Sequence, residues 1–196
     1  PKPSSAASDV YKRQAYIFHP ISVAKIVASE IGLDAVSIAA ALIHDVVEDN
    51  SNHTLENIQK EFGKNISKIV DGLTKIGKLN SKGYSDVSIQ AENYRKMLLT
   101  LNEDVRVIII KIADRLHNMQ TLSSMPYEKQ IQKASETLYI YAPLAHRIGL
   151  YNIKTELEDL GLKYTDPETY YEISKKLAES KKNQNNYIKK FNSIIN

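Results

Sequence analysis

The sequence predicts an all-α fold. Three observations carry that prediction. From Ala15 onward apolar residues recur at three-and-four spacing through most of the chain. Capping residues and glycines fall where those stretches begin and end. The one run of β-branched residues that suits a strand has no second run to pair with.

Residues 1–14, PKPSSAASDVYKRQ, are polar, rich in small residues and without period, so they are expected to be disordered or foreign to the domain. His19 stands before Pro20, which disfavours helical backbone at His19; an extended or turn conformation is expected there, with Pro20 opening a helix. In SVAKIVASEIG the apolar positions Val23, Ile26, Val27 and Ile31 share a helix face, and Gly32 suits its end. DAVSIAAALIHDVVED continues from a capping Asp34. TLENIQKEFGKNISKIVDGLTKI reads as one or two short helices, capped by Thr54 and interrupted at Gly63. Residues 79–89 have a loop composition, and helical pattern returns at QAENYRKMLLTL. The β-branched run 107–112 continues at helical spacing through Ala113, Leu116 and Met119, which favours a buried helix over a strand. KQIQKASETLYIYAPLAHRIGL is a helix bent or restarted at Pro143. IKTELEDLGLKY follows, and then a last helix opened by Asp166 and Pro167.

Composition narrows the function classes. With no cysteine there is neither a disulfide framework nor a thiolate site, so any metal must be held by His, Asp or Glu. The absence fits a reducing, cytoplasmic setting. A net charge of +3, from 26 basic and 23 acidic residues, gives no nucleic-acid footprint. No apolar run approaches the roughly 20 residues of a membrane span. No repeat and no glycine-rich phosphate loop occurs.

Chemistry concentrates in LIHDVVED, residues 42–49. If residues 39–49 form one helix, at about 100° per residue, His44, Asp45, Glu48 and Asp49 lie on one side and Ala39, Ala40, Ile43, Val46 and Val47 on the other. Two readings fit: a solvated acidic helix end, or a metal or catalytic site. Carboxylates at a helix C-terminus oppose the macrodipole, which weakens the first. Asp114 sits in the strongly apolar IADRLHNM, with Asn118 and Thr121 at i+4 and i+7 on its face. A salt bridge to another helix, or a metal shared with His44 and Asp45, would satisfy it. His19 alone is either structural or a ligand. Two imidazoles and two carboxylates together would suit Mn²⁺, Fe²⁺ or Zn²⁺.

HP, then HDVVED some 25 residues later, DGLTK, QAENYRKM, IKIADRLHNM and ETLYIYAPLAHRIGLYNIKTELEDL occur in this order. Over roughly residues 15–175 they resemble the hydrolase domain of the RelA/SpoT family of bifunctional (p)ppGpp synthetase/hydrolases. The resemblance implies an HD-domain helical bundle over residues 15–150, followed by linker helices over 151–196 that lead towards a synthetase domain absent from this chain. It implies Mn²⁺ held by His19, His44, Asp45 and Asp114. Glu48 and Asp49 match the family's catalytic acidic pair, Asn118 supports the site by hydrogen bonding, and Thr121 contacts the nucleotide. Tyr16 fits the family's nucleotide-holding stretch before HP, although VYKRQA replaces the rest of it. The implied reaction removes the 3′-pyrophosphate of (p)ppGpp, and the intact HDVVED argues for an active enzyme. The implied partner is the guanine nucleotide, with no membrane and no direct nucleic-acid contact, and with the ribosome reached through C-terminal domains outside this chain. The chain is expected to be a fragment of a longer enzyme.

Two other functions stay open on the residues: another HD-type phosphohydrolase acting on a different nucleotide, and a catalytically quiet nucleotide-sensing module. His53 reads as a loop residue, and His117 and His146 as packing or hydrogen-bonding groups. Lys75, Asn93 and Arg95 match family motifs in which a buried structural role and a substrate contact are equally compatible. The pairs Tyr139–Tyr141 and Tyr170–Tyr171 read as core and interface aromatics.

Overall fold

A computed structural model describes residues 17–49, 53–80 and 104–195, with the side chains of Asp49, 77–80 and 185–195 outside the description. Among the described residues every regular element is helical. The chain divides into two compact units, parting between Asn118 and Met119.

The first unit opens with α1 (Phe18–Lys25), which continues into a wider π-helical turn at Ile26–Ile31. Gly32 ends it at φ +79°, the left-handed conformation that glycine adopts without a Cβ penalty. Asp34 caps α2 (Ala35–Leu42), accepting from the Ser37 backbone N–H at 3.0 Å. A short α3 (Val46–Asp49) follows. Thr54 caps α4 (Leu55–Phe62), and Gly63 at φ +85° breaks the chain before α5 (Lys64–Asn80). The expected interruption there is present, but the second helix is long. The loop-like stretch expected over 79–89 begins with two residues of α5, and the remainder, with QAENYRKMLLTL, lies outside the described residues.

The β-branched run forms α6 (Val105–Gln120). Val107, Ile108, Ile110, Ile112, Ala113 and Leu116 are all buried, so this helix is apolar on most sides, as a core helix must be. Asp104 starts it, accepting from the Arg106 N–H at 3.0 Å and pairing with the Arg106 guanidinium at 2.7 Å. Helices α1 and α2 pack on each other, and α2, α3 and α4 all pack on α5. Helices α5 and α6 meet at Gly72: a Cβ built there would stand 2.8 Å from Val107 Cγ2. The glycine of DGLTK is therefore needed for close approach.

In the second unit, α7 (Tyr127–Glu136) runs through a π-helical turn at Thr137–Tyr141 into α8 (Ala142–Arg147). Pro143 lies in the first turn of α8, where its missing N–H is tolerated, and the wide turn before it is the expected bend. α9 (Tyr151–Thr165) packs on α7 and α8, and α10 (Pro167–Ile195) on α9. Asp166 caps α10 through the Thr169 N–H at 3.1 Å. Tyr141 is buried whereas Tyr139 is exposed, so only one of that pair is a core residue. Tyr170 and Tyr171 meet edge to face at 5.5 Å.

Substituting Gly72→Ala gains about 0.8–1.0 kcal/mol of helix propensity. Overpacking against β-branched Val107 costs about 1–3 kcal/mol, so a net loss of stability is expected. Urea unfolding checks the sign, and Val107→Ala added to Gly72→Ala should recover part of the loss. A Gly72→Ala protein more stable than the parent would contradict the close approach.

Candidate metal centre

Three separated segments of the first unit bring their polar side chains to one place. His19 comes from α1, His44 and Asp45 from the turn between α2 and α3, and Asp114 from the middle of α6. His19 Nε2 lies 3.2 Å from Asp114 Oδ1 and 3.9 Å from Asp45 Oδ2. His44 Nε2 lies 2.9 Å from Asp45 Oδ2 and 3.8 Å from Asp114 Oδ1. Donor atoms of His19, His44 and Asp45 all fall within 4.8 Å of one another.

Two sequence expectations about the backbone are corrected. His19 is not extended; it sits in the first turn of α1, with Pro20 buried behind it. Its ring contacts with His117 and Asp114 hold it against the pre-proline preference. Residues 39–49 are not one helix either. Helix α2 stops at Leu42, and Ile43–Asp45 form a turn. Hydrogen bonds there close over three residues, Ile43 N to Ala40 O, Val46 N to Ile43 O and Glu48 N to Asp45 O. His44 Nδ1 bonds Ala41 O at 2.7 Å, so the side chain takes a carbonyl the helix would otherwise use. This break swings His44 and Asp45 together, although on a continuous helix they would point about 100° apart.

The centre has a closed side and an open one. His44 and Asp114 are buried, while the His19 and Asp45 side chains each keep 22% of their surface exposed. Buried His44 Nε2 has no hydrogen-bond partner of good geometry among the described residues, although Asp45 Oδ2 stands 2.9 Å away. A buried, unsatisfied ring nitrogen beside carboxylate oxygens is costly unless something lies between them. Ligands sharing one ion at about 2.0–2.2 Å stand roughly 3 to 4 Å apart, and all four nitrogen–oxygen separations fall in that range. His19, His44 and Asp45 fit a divalent cation as donors, and Asp114 lies beside both rings.

Helix α6 supports Asp114 at one-turn spacing. Lys111 Nζ lies 2.9 Å from Asp114 Oδ2, and Asn118 Nδ2 donates to Asp114 Oδ1 at 2.6 Å. Burial opposes ionisation of Asp114, but Lys111, His19 and His44 hold its carboxyl well below the usual range. Lys111 was not singled out from sequence; its position three residues before Asp114 was the available signal. His117, expected to pack or hydrogen-bond, meets His19 at 2.8 Å between Nδ1 atoms.

Glu48 is exposed in α3, one turn beyond Asp45. Asp49 ends α3, and its side chain lies outside the described residues, as does the whole of Tyr16. Thr121 stands one residue past the end of α6, exposed, in the second unit. Lys75 is exposed and paired with Asp71 at 2.6 Å, so the buried structural role is corrected: its position is at a surface, one helical turn from its partner. Asn93 and Arg95 lie outside the described residues. His53 is exposed between helices, and His146 packs edge-on against Tyr151 at 5.5 Å.

A helical scaffold gathering two imidazoles and two carboxylates at one point defines a His/Asp-centred, cation-binding class of domain. Residues 4–151 match the family model described as HD domain, and the chain belongs to the HD-domain family. It is 47% identical over 178 residues to a guanosine-3′,5′-bis(diphosphate) 3′-pyrophosphohydrolase of Aquifex aeolicus, covering 91% of this chain and 25% of that protein. It is 46% identical to a GTP pyrophosphokinase of Myxococcus xanthus, covering 89% of this chain and 23% of that one. The chain thus spans about a quarter of the length of these relatives. The solved structure of a metazoan ortholog of SpoT, described as hydrolysing ppGpp, shares the fold with TM-score 0.55 at 22% identity, over 82% of this chain and 96% of that one. No helix among the described residues is long and apolar enough to cross a membrane.

In metal-free protein, burial pushes the His44 pKa down, but the Asp114 and Asp45 carboxylates outweigh burial and raise it from 6.5 to about 10. The folded state therefore binds that proton more tightly. The resulting stability is complete below about pH 6.5 and is lost as pH rises through about 10. Urea unfolding in chelator should show stability falling between roughly pH 6.5 and 9, and Asp45→Asn should flatten the fall. A flat profile in the parent would mean that His44 is neutral.

Proposed function

We propose that this chain is the hydrolase domain of a longer enzyme, with residues 15–150 as the catalytic part and 151–196 as linker helices. It removes the 3′-pyrophosphate of (p)ppGpp to give GDP or GTP and pyrophosphate. The observation that carries this reading is the convergence of His19, His44, Asp45 and Asp114, with the acidic couple of HDVVED following Asp45 in sequence. The similarity to relatives named as 3′-pyrophosphohydrolases supports the choice of substrate.

His19, His44, Asp45 and Asp114 are the residues that would hold the ion, proposed as Mn²⁺ because the RelA/SpoT resemblance implies it and mixed nitrogen and oxygen donors are compatible with it. When bound, such an ion supplies positive charge for the phosphates and makes water more acidic. Glu48 and Asp49 polarise or deprotonate the attacking water as its oxygen bonds to the phosphorus beside the 3′ oxygen. The bond from that phosphorus to the 3′ oxygen breaks, and a proton returned to this oxygen completes the nucleotide product. Asn118 and Lys111 position Asp114. Thr121 and Tyr16 are assigned to the nucleotide, and the partly exposed edge formed by His19 and Asp45 is the side from which phosphates would arrive.

Purified protein with Mn²⁺ should release pyrophosphate from ppGpp, and chelation should abolish release. Glu48→Gln with Asp49→Asn should lower kcat by about 10²–10⁴-fold while Mn²⁺ still binds. Equal turnover in parent and variant would favour a quiet sensing module. Faster turnover of deoxynucleoside triphosphates or cyclic nucleotides than of ppGpp would favour a different phosphohydrolase.

Metal uptake must displace the His44 proton, so apparent Mn²⁺ affinity should rise with pH from about 6.5 towards 9, with protons released on binding. Calorimetry in buffers of different ionisation enthalpy measures that release.

A further inference from the structure

We propose that His117 is a positioning residue that accepts the Nδ1 proton of His19 and so leaves the His19 Nε2 lone pair free for the cation. The inference rests on the metal-centre reading above and assigns a role that neither the fold nor the ligand set requires by itself.

The two Nδ1 atoms stand 2.8 Å apart, with ring centroids at 4.9 Å and planes tilted by 48°. At that distance one nitrogen donates and the other accepts. A neutral imidazole carries one ring proton. If His117 donated, the His19 proton would sit on Nε2, aimed at Asp114 Oδ1 3.2 Å away, and would block the cation. If His117 accepts, the His19 proton sits on Nδ1 and Nε2 faces the centre with a lone pair. Only the second arrangement matches a ligand.

His44 shows the contrast. Its Nδ1 faces the Ala41 carbonyl at 2.7 Å, and a carbonyl can only accept, so the tautomer of His44 is fixed by backbone. His19 has an imidazole in the equivalent place. The helix geometry explains how: His117 lies three residues after Asp114 on α6, so one turn of one helix supplies both a ligand and the support for a ligand on α1. Outer partners of this kind typically govern metal affinity by 10–100-fold.

The test is Mn²⁺ affinity, read from the electron paramagnetic resonance signal of free Mn²⁺, for the parent, His117→Leu and His117→Asn. Metal-free thermal unfolding of each reports packing separately. His117→Leu should bind Mn²⁺ about 10–100-fold more weakly. His117→Asn should stay close to the parent, because its Oδ1 can accept where Nδ1 stood. Should His117→Leu fold poorly, His117→Phe takes its place. An apolar variant that binds as tightly as the parent overturns the proposal, and so does an Asn variant as weak as the apolar one. A parent that takes up no Mn²⁺ overturns the metal-centre reading together with this one.

Discussion

Two carboxylates and two imidazoles meet at one partly buried place, and the balance of charge among them is the constraint on which the site depends. Asp114 is buried and held ionised, which would be unfavourable inside an apolar helix without Lys111, His19 and His44 around it. Lys111 offsets one carboxylate. The other, Asp45, faces only imidazoles within ion-pair distance among the described residues, and the buried Nε2 of His44 is left without a hydrogen bond. Metal-free, the cluster draws a proton onto His44. With a divalent ion, that proton gives way to a stronger charge, so folding, proton uptake and metal uptake are linked through one side chain.

The scaffold supplies precision through local irregularities. Helix α2 breaks just before His44, and the His44 ring captures a helix carbonyl, so the break and the orientation of the ligand have one cause. Gly72 lets α5 and α6 approach until a methyl would collide with Val107, and α6 is the element that carries Asp114. A gap of even one methyl group there would shift the carboxylate relative to rings on other elements, and interiors transmit such shifts because they are densely packed. Asp104, Arg106 and Asp34 add a partly exposed ion pair between the starts of α6 and α2, which contributes orientation more than stability.

Fold and similarity alone leave the chemistry open. Relatives of nearly equal identity carry names of opposite activities, a pyrophosphohydrolase and a pyrophosphokinase, and the chain spans only about a quarter of each. The hydrolytic reading therefore rests on the side chains proposed as ligands, His19, His44, Asp45 and Asp114, and on the acidic couple that follows them in sequence.

The sequence by itself determined the all-helical character, the caps at Asp34, Thr54 and Asp166, and the breaks at Gly32 and Gly63, because these depend on neighbours a few residues away. It also singled out His19, His44, Asp45 and Asp114 as candidate ligands, through motif order and through polar groups that an apolar helix would not otherwise carry. Tertiary structure decided what spacing could not. Helical periodicity extended α2 through Asp49, whereas the His44 side chain ended it. The pre-proline rule made His19 extended, whereas contacts nearly a hundred residues away hold it helical. His117 gained its role in the same way, whereas Lys111 pairs with Asp114 within one turn of its own helix. A side chain's partners across the core are set by packing, and local pattern carries no record of them.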